Sequence, residues 1–396
     1  MLVLLYFIVL FIILSLLAFK IYIKKLSSFW YIQPVFHVYN LPYWFKTPGI
    51  IDPKMPEFNK FCNIINIRTK DISTLTDLQI QTYTNFIKTN FLITEHVKYL
   101  PSKNEIFPFF QGFNHPTFIS TYEKPTYFIT QSEGKTINSN ALVGLMTSRP
   151  LTVTLKDRRP FSIYYVDYLC VDKTRRKGGV APQIIQTHVY NERRLNKKIK
   201  VSFFKRETEL TNIIPLTSYY TYKIPLSLIK SEALPHAAIK LIEITKQTIH
   251  LLLEFIFKQK EKFSCIIVPE LGNILALLET ENIFIYGLLE NQELCACYIF
   301  KNSMVYYENE RAVDFIASIS NACFKEIFYI GFSIFAHKIC KKLSASQIIF
   351  EMISDNIIIY EHFLKNVHTK FVSPTAYYFY NYRQKTIDSG DCFIFC

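Results

Sequence analysis

Eighteen consecutive residues, 165 to 182, lay down a strand, a basic glycine loop and a helix start, and that order restricts the possible folds most. The run Tyr165-Val166-Asp167-Tyr168-Leu169-Cys170-Val171 is apolar, aromatic and β-branched, which predicts an extended segment. Asp172-Lys173-Thr174-Arg175-Arg176-Lys177-Gly178-Gly179 follows directly, and the paired glycines permit a tight turn. Val180, Ile184, Ile185, His188 and Val189 then recur at helical spacing. A helix opened by glycines offers unpaired N–H groups and the positive end of its dipole to phosphate. Arg175, Arg176 and Lys177 add full charges there. The segment reads as a cradle for the phosphates of an acyl-CoA.

At 396 residues the chain can hold about two domains of ordinary size. Its net charge of +13 calls for an anionic partner, and nucleic acid, anionic lipid and a phosphorylated cofactor all satisfy it. The nine cysteines, Cys170 and Cys323 among them, form no CxxC pair and none is followed by a closely spaced His pair. That excludes the common zinc sites, and no metal is expected. An odd count on a cytosolic body favours reduced, buried thiols.

Residues 1 to 19 carry no charged side chain and are dominated by Leu, Ile, Phe and Val; Lys20, Lys24 and Lys25 follow. With Ile21, Tyr22 and Ile23 the stretch reaches the roughly 17–25 residues a spanning helix needs. The lysines on its C-terminal side keep the body cytosolic by the positive-inside tendency. A cleaved secretory signal would begin with a positive region, and none is present. A single uncleaved crossing is expected, because Ile249 to Phe257 is too short and contains Glu254.

Beyond the anchor lies Phe29-Trp30-Tyr31-Ile32-Gln33-Pro34-Val35, then a proline-interrupted arm to about Ile67. Thr74 to Asn90 has helical periodicity, with Asp77 near its start. Ala141 to Met146, Leu151 to Leu155 and Phe161 to Val171 read as three antiparallel strands. The second half repeats the plan: strands Ile283 to Leu288, Leu294 to Phe300 and Met304 to Tyr307, a long helix from about Val313 to Lys342, then strand Gln347 to Ile353. Helix Ile357 to Leu364 and strand Tyr377 to Tyr382 complete it. A strand meander leading into a helix, twice over, predicts two similar α+β halves packed together.

Arg176-Lys177-Gly178-Gly179-Val180-Ala181 fits the Arg-x-x-Gly-x-Ala pattern of acetyltransferase pyrophosphate loops, a weak signal alone that its place between strand and helix strengthens. Asp167-Tyr168-Leu169-Cys170-Val171 through Val180-Ala181-Pro182 resembles, without a gap, the signature of the N-myristoyltransferases, with Asp167 and Asp172 where that family has Asn and His. Phe29-Trp30-x-x-Gln33-Pro34-Val35, Leu142-Val143-Gly144 and Tyr377-Tyr378-Phe379-Tyr380-Asn381-Tyr382 resemble further landmarks of the family, in its order. The resemblance covers roughly residues 28 to 396.

It implies an α+β fold of two fused acetyltransferase-like (GNAT) halves with mixed, mainly antiparallel sheets, preceded here by one N-terminal transmembrane helix. The expected divisions are 1–23 (anchor), 24–226 (acyl-CoA-binding half) and 227–396 (C-terminal half with the peptide side and last strand). The implied reaction moves myristate from myristoyl-CoA, a substrate and not a cofactor, to an N-terminal glycine. Backbone N–H groups of Tyr168 and Leu169 would polarise the thioester; one such donor is worth roughly 3–4 kcal/mol. The terminal carboxylate of Cys396 would be the base, adequate for an α-ammonium of pKa about 8. Phe29, Trp30, Cys170, Val171, Arg176, Lys177, Gly178, Gly179, Val180 and Ala181 would hold the donor. The Cys170 thiol reads as structural, His188 as a core histidine, and the cluster Arg193, Arg194, Lys197, Lys198 and Lys200 as an exposed helix end.

Departures gather on the acceptor side. The family's Tyr-Thr-x-Gly corresponds to Phe203-Phe204-Lys205-Arg206-Glu207-Thr208-Glu209, which has no glycine; its Trp-His appears as Tyr222-Lys223, and its Gly-Asp-Gly falls near Phe371-Val372-Ser373. Three readings follow: an N-myristoyltransferase, an acyltransferase of the same fold with another amine acceptor, or a silent acyl-CoA- or peptide-binding adaptor at the membrane. A single-pass membrane protein with a cytosolic, monomeric body and no specific nucleic-acid partner is expected.

Overall fold

A computed structural model describes residues 2–26, 28–129, 136–207, 211–234, 239–321, 324–364 and 370–396. Thr208, Glu209 and Cys323 lie outside them. In chain order the elements that place the site are helix α1 (Leu2–Leu26), strands β1 (Phe118–Ile129), β2 (Thr136–Leu155) and β3 (Phe161–Val171), helix α2 (Val180–Leu195), and strands β4 (Ser202–Glu207), β5 (Thr217–Pro225) and β6 (Cys265–Val268). There follow β7 (Ile283–Glu290), β8 (Glu293–Lys301), β9 (Glu310–Ser320), helix α3 (Lys325–Leu343), β10 (Gln347–Glu351), β11 (Lys370–Tyr380) and β12 (Cys392–Ile394).

The repeated plan is present. Antiparallel β1, β2 and β3 lead through α2 into β4, which lies parallel to β3; antiparallel β7, β8 and β9 lead through α3 into β10, parallel to β9. The two units share one mixed sheet, ordered β12-β6-β2-β3-β4-β11-β5-β10-β9-β8-β7 and closed by Ile239–Glu243. Strands cross the expected boundary at 226: β11 inserts between β4 and β5, while β6 and β12 extend the free edge of β2.

Two expectations are corrected. Ala141 to Met146 and Leu151 to Leu155 belong to one twenty-residue strand, β2, despite Pro150. Pro150 lies opposite Tyr164, whose N–H donates away from β2 to Val201. The missing donor of Pro150 therefore faces the gap between Ser148, last paired to β1, and Thr152, first paired to β6. The long helix from Val313 does not form either: β9 occupies Glu310–Ser320 and α3 begins at Lys325. Apolar residues buried on both faces of a central strand mimic a buried helix in sequence.

The helix foreseen near Thr74 runs from Asp77 to Asn90 behind a capping box of Thr76 and Gln79. In α3, Phe328, Phe332, Phe335 and Ile339 are buried against β7–β10. The expected spanning anchor is not found: among the described residues no helix is long and apolar enough to cross a membrane. Helix α1 does form, but its last turns engage the body, where Ile23 is buried and the Phe19 ring meets Tyr39 at 6.5 Å. Arg193 is not an exposed helix end; it is buried, and its guanidinium donates to the Lys200 and Lys54 carbonyls.

Gly331 lets α3 approach the sheet closely. A Cβ there would lie 2.5 Å from Tyr298 Oη and 3.0 Å from Leu288 Cδ1. Gly331→Ala is expected to lower unfolding free energy by about 1–3 kcal/mol through overpacking, read by urea denaturation; an unchanged midpoint would refute this close packing.

Candidate active site

The site begins where two strands part. β3 and β4 pair in parallel at only three positions, Tyr164 with Ser202, Tyr165 with Phe203 and Val166 with Phe204. The next rung would join Asp167 to Lys205, and the ladder ends before it. On its other edge β3 shifts register, so that Asp167 and Tyr168 both stand opposite Thr147. The Tyr168 N–H donates to Thr147 Oγ1 at 3.1 Å. A bulge of this kind frees backbone from the ladder and re-aims it, as it does beside many active sites.

Cavities open on both sides of the parting. The first, about 410 Å³, is mainly apolar and lined by Phe29, Trp30, Leu169, Ala181, Ile185 and Phe204 among others. Trp30 stacks on Phe204 at 5.8 Å. The arm that brings Phe29 and Trp30 here is held by the Tyr-rich strand: Tyr380 Oη donates to Gln33 at 2.6 Å, and the Asn381 N–H to the Pro34 carbonyl at 2.8 Å. At the open end Gly179 takes φ +73° as the cap of α2, and Arg175, Lys177 and Gly178 are exposed. Arg176 is committed elsewhere, donating to the carbonyls of Asn90 and Val171. Val180 packs inward, as does Cys170, whose thiol burial pushes up to about 12; Cys170 is no nucleophile. Val171 pairs with Gly144 at the end of the ladder. His188 is a core residue, bonded to Ser120, Ser148 and Glu192.

The second cavity, about 430 Å³, is more polar than the first and lined by Tyr165, Tyr168, Glu207, Lys301, Asp314, Glu351, Tyr377 and Cys396 among others. Phe91, Val166, Asp167, Lys205 and Arg206 line both cavities. Tyr168 faces the second and Leu169 the first. Cys396 arrives because β12 runs parallel to β6 and Phe393 and Phe395 are buried. Its thiol is raised by burial, against the opposing charge of Arg149 and a contact from Tyr377 Oη at 3.3 Å.

Charged side chains from separate strands converge here, Arg149, Glu351, Lys301 and Asp314 among them unmarked by local sequence. Arg149, fully buried, lies between the rings of Phe109 and Tyr165 and donates from Nε to Asp167 at 2.8 Å. Its Nη1 and Nη2 have no partner among the described residues. Lys205 Nζ donates to Glu351 at 2.8 Å, and Glu351 also accepts from Tyr219 Oη. Burial opposes the charge on Lys205, but Glu351, Tyr219 and Glu207 outweigh it and hold the pKa well above the ordinary lysine value. Burial raises Asp314 to about 7, with Lys301 opposing. These residues come from six strands, so only pairing across the sheet reveals the cluster.

Neither a family profile nor a curated sequence matches the chain. Solved structures do. Saccharomyces cerevisiae N-myristoyltransferase with bound myristoyl-CoA is similar over 92% of this chain and 89% of that one, at 15% identity and TM-score 0.68. A second structure of that complex covers 92% and 94% at 14% identity and TM-score 0.69. A third, with inhibitors as well, covers 93% and 95% at 13% identity and TM-score 0.69. The chain has the N-myristoyltransferase fold. Within that fold the parted strands, the bulge and the capped helix are present, while the Arg149–Asp167 and Lys205–Glu351 pairs give the second cavity of this chain its charge.

Removing one member of a buried ion pair leaves an uncompensated charge, at about 3–5 kcal/mol. Asp167→Asn is expected to destabilise by that amount in urea denaturation, and Arg149→Met added to it should restore most of the loss; additive losses would refute the pairing. Asp314 sets a slope with pH. Its folded carboxyl holds a proton to about 7, whereas an unfolded one releases it near 3.9. Between those values the folded state binds more protons, so stability falls as pH rises. Asp314→Asn should flatten the fall in melting temperature from pH 5 to 8; an unaltered slope would exclude Asp314 as its source.

Proposed function

We propose that this chain is an acyltransferase that moves a myristoyl group from myristoyl-CoA to the N-terminal glycine amine of a protein. The carrying observation is that an apolar slot and a polar cavity meet at the parted strands, beside the backbone of Asp167, Tyr168 and Leu169. The acyl chain fills the slot beneath Trp30 and Phe204. The CoA phosphates lie at the N-terminus of α2, beside Arg175 and Lys177, where dipole and side-chain charge agree.

The acceptor amine enters through the polar cavity and attacks the thioester carbon. The carbonyl oxygen gains charge near the N–H of Leu169, since the Tyr168 N–H is already given to the Thr147 hydroxyl. As the C–N bond forms, the C–S bond breaks and CoA leaves as a thiolate that takes up a proton. The Cys396 carboxylate removes the proton from the entering ammonium. An acyltransferase with a different amine acceptor is the second reading; it is favoured by Lys205 and Glu351, which place a fixed ion pair beside the attacking position. We also place the protein at a membrane, its body cytosolic, through the exposed Tyr6, Phe7, Phe11 and Leu14 of α1.

The test is turnover of myristoyl-CoA with a library of Gly-initial peptides, read by mass spectrometry. Extending the chain by a few residues past Cys396, which leaves the buried Phe393 and Phe395 in place, is expected to lower turnover by about 10²–10⁴ while sparing myristoyl-CoA binding. Unchanged turnover would eliminate Cys396 as the base. A product on another amine, with none on glycine, would select the second reading.

A further inference from the structure

The residue facing the reacting position is itself an amine. Lys205 occupies the first place after the β3–β4 ladder ends, opposite Asp167 and one residue from the Tyr168 N–H. It lines the donor slot and the polar cavity alike, and no other lysine lines both. Its side chain retains 20% of its exposure, and its Nζ is held by Glu351 and not loose on the surface. Glu351 accepts from its Nζ at 2.8 Å and is steadied by Tyr219.

We propose that Lys205 is an acyl acceptor in its own right and that the protein acylates itself there from a long-chain acyl-CoA thioester. The inference rests on the acyl-CoA reading of the donor slot. Glu351 takes a proton from the Lys205 ammonium, and the freed Nζ attacks the thioester carbon. A C–N amide bond forms and the C–S bond breaks; of the two protons the nitrogen loses, one is taken up by the departing CoA thiolate and the other passes from Glu351 to solvent. Fewer than about one Lys205 in a thousand carries a free amine at neutral pH, which slows the attack. Confinement beside the thioester works against this, because effective concentrations in well-oriented pairs reach about 10⁵–10⁸ M. The acyl-lysine formed spans the junction of the two cavities and replaces the Lys205–Glu351 ion pair, closing the acceptor path. Self-acylation would thus be a covalent off state of the site.

Incubating the full chain with myristoyl-CoA alone and mapping the product by peptide mass spectrometry tests this. One acyl group is expected, on Lys205, stable to neutral hydroxylamine as an amide and not released as a cysteine thioester would be. Lys205→Arg keeps a cation beside Glu351; its thermal midpoint should stay within a few degrees of the parent while acylation at this segment falls at least tenfold. Myristoyl-CoA binding with Lys205 unmodified, or acylation spread equally over exposed lysines such as Lys98 and Lys246, would overturn the proposal. Acylated glycine peptides with a free Lys205 would overturn it and leave the transferase reading standing. Failure to bind myristoyl-CoA at all would overturn both.

Discussion

The parting of β3 and β4 after three rungs is the constraint on which the site depends. A parallel pair continued in register would fill the space with main-chain hydrogen bonds and leave no opening. Ending the ladder at Val166 and Phe204 leaves polar backbone to be satisfied otherwise. On the β2 side the bulge at Asp167 and Tyr168 does this in part through the Thr147 hydroxyl. On the open side the unfilled edge becomes the floor of two cavities of different character. Alternation along β4 sorts them: Phe204 packs with Trp30 in the apolar slot, while Lys205 points to Glu351 and Tyr377.

Such an opening must be braced, because separated strands lose the contacts that hold a sheet rigid. The bracing comes from segments remote in sequence. β11 covers the free edge of β4, and at its end Tyr380 and Asn381 grip Gln33 and Pro34 of the arm. Asn381 also bonds Asp52 and the Lys200 carbonyl. The Phe-Trp and Tyr-rich landmarks, some 350 residues apart, thus form one clamp across the slot. β12, paired to β6 at the far edge, delivers Cys396 to the other cavity.

What the sequence made legible follows from range. The strand, glycine loop and helix of residues 165 to 182 are set by neighbours, so periodicity and glycine placement revealed them, and the apolar ending disclosed β12. Pro150 misled because its meaning depends on which side of β2 is unpaired. The run from Val313 misled because burial on both faces erases the period that separates strand from helix. Arg149, Lys205, Glu351 and Asp314 carry no local signature at all. Each is a charge in an ordinary-looking strand until pairing brings the four strands together.

The same distinction bears on how a fold is shared at 13–15% identity. The donor side is assembled from main chain: a bulge, a capped helix and a glycine in the left-handed region, all indifferent to most side chains. At the bulge the Tyr168 N–H is received by the Thr147 hydroxyl, while Tyr168 itself lines the second cavity. The acceptor side is assembled from side-chain charges held in low dielectric, where an unpaired charge costs several kcal/mol. Asp167 is tolerable beside the bulge because Arg149 lies beneath it, and Lys205 at the junction because Glu351 and Tyr219 receive it. Backbone geometry therefore fixes where the two cavities meet, and coupled pairs of buried charges set the character of the second.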